Sequence, residues 1–133
     1  MKYYGNKTKV KIVTFTDLHA WKQGHALALK VYEMTKKFPG REVFGLTSQM
    51  RRCALSITSN IAEGFSRKSF REKSQFYSIA LGSLTELQNQ LIVAKDVRYT
   101  TKEVYQEVSN QTVVVHKLIN GLIKYAKTMI HKT

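Results

Sequence analysis

Apolar residues in this chain recur every three or four positions through four long stretches. That period places them along one face of an α-helix, which turns once in 3.6 residues. The first stripe is Leu18, Trp21, His25, Ala28, Tyr32 and Thr35. The second is Val43, Leu46, Met50, Cys53, Ile57 and Ile61. The third is Phe76, Ala80, Ser83, Leu87, Leu91 and Ala94. The fourth is Val104, Val108, Gln111, Val115, Leu118, Leu122, Tyr125 and Met129. Four amphipathic helices joined by short turns predict an all-α, up-and-down four-helix bundle over residues 15–133. Trp21, Leu46, Ile57, Leu87 and Leu118 are expected in its core. Residues 1–14 read as a flexible or extended basic arm, because Gly5 and the β-branched Ile12-Val13-Thr14 oppose a helix.

Punctuation between the stripes sets the expected boundaries. Thr16 or Asp17 is a good N-cap for the first helix, which ends at Phe38-Pro39-Gly40. The second helix is expected from Arg41 or Glu42 to Gly64, read as a C-terminal glycine in left-handed geometry. Ser66 or Ser69 opens the third. Thr100-Thr101-Lys102-Glu103 fits a capping box at the start of the fourth. Gly24, Ala80, Gly82 and Ser83 are small enough for close helix packing.

Composition narrows function. The chain has 133 residues, with 22 Lys+Arg against 9 Asp+Glu, a formal charge of +13. Solubility needs only about 2–8, so the excess points to a polyanionic partner. RNA, DNA and an acidic protein all fit that description. The single cysteine, Cys53, excludes an internal disulfide and a cysteine-based zinc site, and fits a reducing cytoplasm. No N-terminal apolar run reads as a signal peptide, and no stretch is long enough to span a membrane. The four histidines lack the Glu-x-x-His pairing of bundle metal sites, so no metal or cofactor is expected. Cys53 falls on an apolar stripe, as an inert hydrophobe does. No phosphate-loop, dinucleotide or nucleophile-elbow motif occurs. The chain reads as a non-enzyme, with no catalytic residue.

Charge is dense around the second and third helices. Residues 41–73 carry seven basic side chains (Arg41, Arg51, Arg52, Arg67, Lys68, Arg71, Lys73) against Glu42, Glu63 and Glu72. Arginines hold phosphates bidentately. The nucleic-acid-binding candidates are therefore Arg51, Arg52, Arg67, Lys68, Arg71 and Lys73, with Lys7, Lys9 and Lys11 of the arm as auxiliaries. Phe65 and Phe70 flank the basic turn and suit base stacking or a subunit contact. Asn60, Glu63 and Gly64 form a polar corner with Arg67. It reads either as a structural cluster, with Arg67 paired to Glu63, or as a ligand-facing one. Apolar residues off the stripes (Leu27, Leu29, Phe44, Leu55, Tyr77, Leu81, Ile92, Val93, Val113, Val114, Ile119, Ile123) exceed what one core can bury, which predicts a homo-oligomer. A scaffold docking an acidic protein, without nucleic acid, is the alternative reading.

The order of motifs from Phe15 to Leu91 resembles the four-helix-bundle proteins encoded in intervening sequences of bacterial 23S ribosomal RNA genes. The residues that carry the likeness are Asp17-Leu18-x-x-Trp21, then Thr35-x-x-Phe38-Pro39-x-x-Glu42-x-x-Gly45-Leu46-Thr47-x-Gln49-x-Arg51-Arg52. They continue with Ser56-Ile57-x-Ser59-Asn60-Ile61-Ala62-Glu63-Gly64, Arg67, and Ala80-x-Gly82-Ser83-x-x-Glu86-Leu87. That family is similar to the accessory variability proteins of diversity-generating retroelements, basic bundles that form pentameric rings and bind nucleic acid and a reverse transcriptase. The resemblance implies a homopentamer, a nucleic-acid-binding role and a reverse transcriptase as a possible partner class. It carries over no catalytic residue.

Overall fold

A computed structural model describes residues 2–5 and 8–132, and the side chains of residues 11–132. Four helices account for most of it: α1 (His19–Thr35), α2 (Leu46–Ser66), α3 (Phe70–Asp96) and α4 (Lys102–Lys132). Each packs on two neighbours, α1 on α2 and α4, and α3 on α2 and α4. The architecture is an all-α four-helix bundle. The arm pairs as a short antiparallel hairpin of β1 (Lys2–Gly5) and β2 (Thr8–Lys11), with Tyr4 opposite Lys9. Lys7 lies outside the described residues. Ile12, just after β2, is buried and joins the core. None of the helices is long and apolar enough to cross a membrane, among the described residues.

The buried face of each helix is broader than a single stripe. A helix packed on two neighbours buries the arc between them. On α1 that arc is Ala20, Gly24, Leu27, Ala28, Val31, Met34 and Thr35. Trp21 and Tyr32 lie at its edge, half-buried, and His25 is exposed, its ring stacked 4.8 Å from that of Trp21. Leu46 and Leu118 are likewise half-buried, whereas Ile57 and Leu87 are fully enclosed. Leu27, Tyr77 and Ile119, set off the stripes by the sequence reading, are core residues.

Several helix ends differ from expectation. Gly64 does not stop α2. It is a buried helical residue, and the helix continues to Ser66. A Cβ at position 64 would lie 2.7 Å from Tyr77 Cε1 and 3.1 Å from Phe76 Cβ. The glycine is there because α3 crosses closely, not because the chain turns. Residues Phe15–Asp17 and Gly40–Glu42 form single 3₁₀ turns ahead of α1 and α2. Asp17 accepts hydrogen bonds from the Val13 and Thr14 N–H groups, 2.9 Å each. Glu42 accepts from the Leu46 N–H at 3.1 Å and from the Tyr99 hydroxyl at 2.6 Å, so it caps α2 from outside. Ser69 caps α3 through the Glu72 N–H. Thr101 caps α4 through the Val104 N–H.

Candidate nucleic-acid interface

The six basic candidates divide by what they touch. Arg51 donates from Nε to Thr35 Oγ1 at 2.8 Å and from Nη2 to the Tyr32 carbonyl at 3.4 Å, with its guanidinium 4.6 Å from the Tyr32 ring centre. It closes the C-terminal end of α1. Lys73 donates to the carbonyls of Phe65 at 2.6 Å and Gly64 at 3.3 Å, closing the end of α2. Burial there pulls the Lys73 ammonium below the ordinary lysine range. Arg67 pairs with Glu63 at 2.9 Å, lies 3.9 Å from Glu72, and covers the Phe76 ring at 4.6 Å. Arg52, Lys68 and Arg71 are exposed, and Arg52 donates to Gln49. Arg51 and Arg52 sit roughly 22 Å up α2 from the Arg67 turn, at 1.5 Å per residue. The structure therefore brings together Arg67, Lys68, Arg71 and Lys73, and leaves Arg51 and Arg52 apart.

Antiparallel packing adds further cations to that turn. The end of α4 returns to the start of α3, where the Phe70 and Tyr125 rings meet at 5.9 Å. Ile130 and the segment Lys68–Arg71 line a cleft of about 380 Å³. This brings in Lys124, Lys127 and Lys132. Gly24 packs on Thr58, and the 3₁₀ turn before α1 packs on α2, which adds Lys22 and Lys11. The resulting pole carries nine basic side chains (Lys11, Lys22, Arg67, Lys68, Arg71, Lys73, Lys124, Lys127, Lys132) against Asp17, Glu63 and Glu72. The opposite pole has seven (Lys30, Lys36, Lys37, Arg41, Lys95, Arg98, Lys102) against five carboxylates (Glu33, Glu42, Asp96, Glu103, Glu107). Three of its cations are near carboxylates: Lys30–Glu107 at 2.9 Å, Lys36–Glu33 at 3.2 Å and Lys95–Asp96 at 3.9 Å. Positive charge is thus segregated to one end of the bundle. The first turn of α3 opens there, and its N–H groups and dipole favour an anion between Lys68 and Arg71.

The lysines of α4 do not stand out in the sequence, because a helix C-terminus rich in lysine is explained by the macrodipole alone. The signal that finds them is topology. In an up-and-down bundle the end of the fourth helix lies beside the turn between the second and third.

The polar corner lies in the α2–α3 seam. Asn60 Nδ2 donates back along α2 to the Ser56 carbonyl at 2.8 Å and to Ser56 Oγ at 3.1 Å. Ser56 and Ser83 hydroxyls meet across the seam at 2.8 Å. Glu63 serves Arg67, and Gly64 admits Tyr77. The Cys53 thiol donates to Glu86 at 3.0 Å, and burial, reinforced by that carboxylate, pushes its pKa up to about 11. Phe65 packs on the core beneath Lys73, and Phe70 on Tyr125, so neither is a free stacking platform. No three His, Cys, Asp or Glu side chains converge as a metal ion requires, among the described residues.

The family model for the 23S rRNA-intervening sequence protein matches residues 16–121, most of the chain. The chain belongs to this family. One solved structure with the same fold comes from Bacteroides thetaiotaomicron and is described as a protein of unknown function from the S23 ribosomal protein family. The two superpose with a TM-score of 0.72 at 23% identity, covering 79% of this chain and 95% of that one. No curated protein matches the chain. The matched part of the chain includes the Arg67–Lys73 turn, whereas Lys124, Lys127 and Lys132 lie beyond it.

Proposed function

We propose that this chain is a non-enzymatic, self-associating bundle that binds RNA or DNA through its basic pole. The segregation of charge carries the reading. Nine cations stand against three carboxylates at one end, and those that face water, Lys68 and Arg71 among them, form a patch that releases counterions from a phosphate backbone. The contacts would be mainly to phosphate, so sequence preference is weak. Self-association is supported by apolar side chains that the single bundle leaves in water, among them Leu29, Phe44, Leu55, Ile92, Val93, Val113 and Val114. A symmetric assembly, a pentamer by the family likeness, would repeat the pole and raise avidity without new contacts per subunit. That likeness also names a reverse transcriptase as the protein partner to try in a pull-down.

The test is a titration with single-stranded RNA and with duplex DNA at two salt concentrations. Binding that weakens steeply with salt is expected. Absence of binding at low salt would contradict the proposal and leave an acidic protein as the polyanion.

A further inference from the structure

Three aromatic rings gather where the chain enters α1 at the basic pole. Trp21 and His25 stand four residues apart, one turn along the same face of the helix. Their rings are nearly parallel, 9° between planes and 4.8 Å between centres. Phe15, on the 3₁₀ turn ahead of the helix, meets the Trp21 ring edge-on at 5.5 Å and 69°. Asp17 braces that turn by accepting the Val13 and Thr14 N–H groups. Trp21 is half-buried and packs on the core. The stack therefore builds outward from the core, through Trp21 to His25.

His25 is its open end. One face of the imidazole lies on the indole, and the residue is exposed. The other rings of this pole are engaged. Lys73 lies over Phe65, Arg67 covers Phe76, and Phe70 meets Tyr125. Beside the stack, Phe15 is 37% exposed and Val13 65%, so its margin is apolar as well.

We infer that the outer face of His25 stacks one unpaired nucleobase, extending the Trp21–His25 stack by a ring. This deepens the nucleic-acid binding proposed above and rests on it. Charge and shape together select the ligand. Lys22 is exposed and three residues before His25, which makes the two neighbours on the helix surface. Its ammonium is in reach of the phosphate of a nucleotide whose base lies on the ring. The Asp17 carboxylate, on the adjoining turn, is already satisfied by backbone N–H groups. Every base has a π-face, so such a platform takes any of them and adds little sequence preference. It takes no base from an intact duplex, where neighbouring pairs cover both faces. The phosphate patch serves either form of nucleic acid, and the aromatic step favours single strands.

The experiment is a fluorescence-anisotropy titration at low salt with two short DNA strands of equal length, one of thymidines and one wholly abasic. Both carry the same phosphate charge, so the bases alone separate them. The thymidine strand should bind more tightly by about 5- to 150-fold, the range for one stacked base. Two variants at the exposed position 25 locate the effect, and both should keep the helical circular dichroism of the parent. His25→Phe keeps a ring and should keep the advantage of the thymidine strand. His25→Lys removes the ring and adds a cation, and should erase that advantage even though the net charge rises. Equal binding of the two strands by the parent would overturn the stacking and leave the phosphate contacts standing. An advantage that survives in His25→Lys would also overturn it, since the bases would then be held elsewhere. Failure of the parent to bind either strand would contradict nucleic-acid binding itself, and the stacking with it.

Discussion

A methyl group at position 64 has nowhere to go. Tyr77 and Phe76 stand within 3.1 Å of where it would sit, and Tyr77 is itself buried, with its hydroxyl pushed to about 12 by that burial. Gly64→Ala should destabilise the bundle by about 1–3 kcal/mol, the usual cost of overpacking. Gly82, on the outer face of α3, meets nothing within 4 Å. Gly82→Ala should stabilise by about 0.5–1 kcal/mol through helix propensity alone. Urea melts of the two variants check both, and shifts of the same sign would contradict the packing described. A third position tests backbone strain. Arg98 ends α3 at φ 64°, where the Tyr99 N–H reaches the Ala94 carbonyl at 2.9 Å and the Arg98 N–H reaches Lys95 at 3.0 Å. That is the Schellman arrangement, which favours glycine at this position. Arg98→Gly should gain about 0.5–1 kcal/mol, from relief of left-handed strain less the glycine's extra chain entropy. An unchanged or lowered melting midpoint would contradict it. In sequence, a glycine that ends a helix and one that admits a neighbour look alike. That is why Gly64 reads as a stop until Tyr77, thirteen residues on, is seen against it.

The existence of each helix was legible in its apolar period, and its ends were less so. The start of α2 shows why. Glu42 reads as an opening helical residue, yet its carboxylate reaches Tyr99, 57 residues away, and caps Leu46 from outside the helix. Such a contact is set by tertiary packing and leaves no local signature. It does leave a pH signature. Donation by Tyr99 first, then by the Leu46 N–H, holds the Glu42 carboxyl below its ordinary value of 4.5. The same bond raises Tyr99 above 10.0. A carboxyl with a lowered folded pKa contributes fully above its ordinary value and loses that contribution as pH falls through the folded one. A phenol with a raised pKa contributes fully below its ordinary value and loses that contribution as pH rises through the folded one. Tyr99→Phe should therefore lose less stability than the parent between about pH 5 and pH 3. Thermal melts across that range measure it. Parallel acid limbs in parent and variant would count against this cap.

At the scale of the molecule, the distribution of charge matters more than its total. The +13 was plain from composition. Its concentration at one end was not, because the contributing lysines are spread from Lys11 to Lys132 and only the antiparallel packing gathers them. The same packing withdraws Arg51 and Lys73 from solvent duty, since each closes the carbonyl end of a neighbouring helix. Of the residues first singled out, Lys68 and Arg71 are the exposed cations that stand at the α3 N-terminus. The direct test compares two double variants that remove equal charge from opposite poles, Lys68→Gln with Arg71→Gln, and Lys36→Gln with Lys102→Gln. All four side chains are exposed. Titrated with one single-stranded RNA at two salt concentrations, the first pair should weaken binding and flatten the salt dependence by about two phosphate contacts. The second pair should stay close to the parent. Equal losses from both pairs would show that total charge, and not the basic pole, holds the nucleic acid.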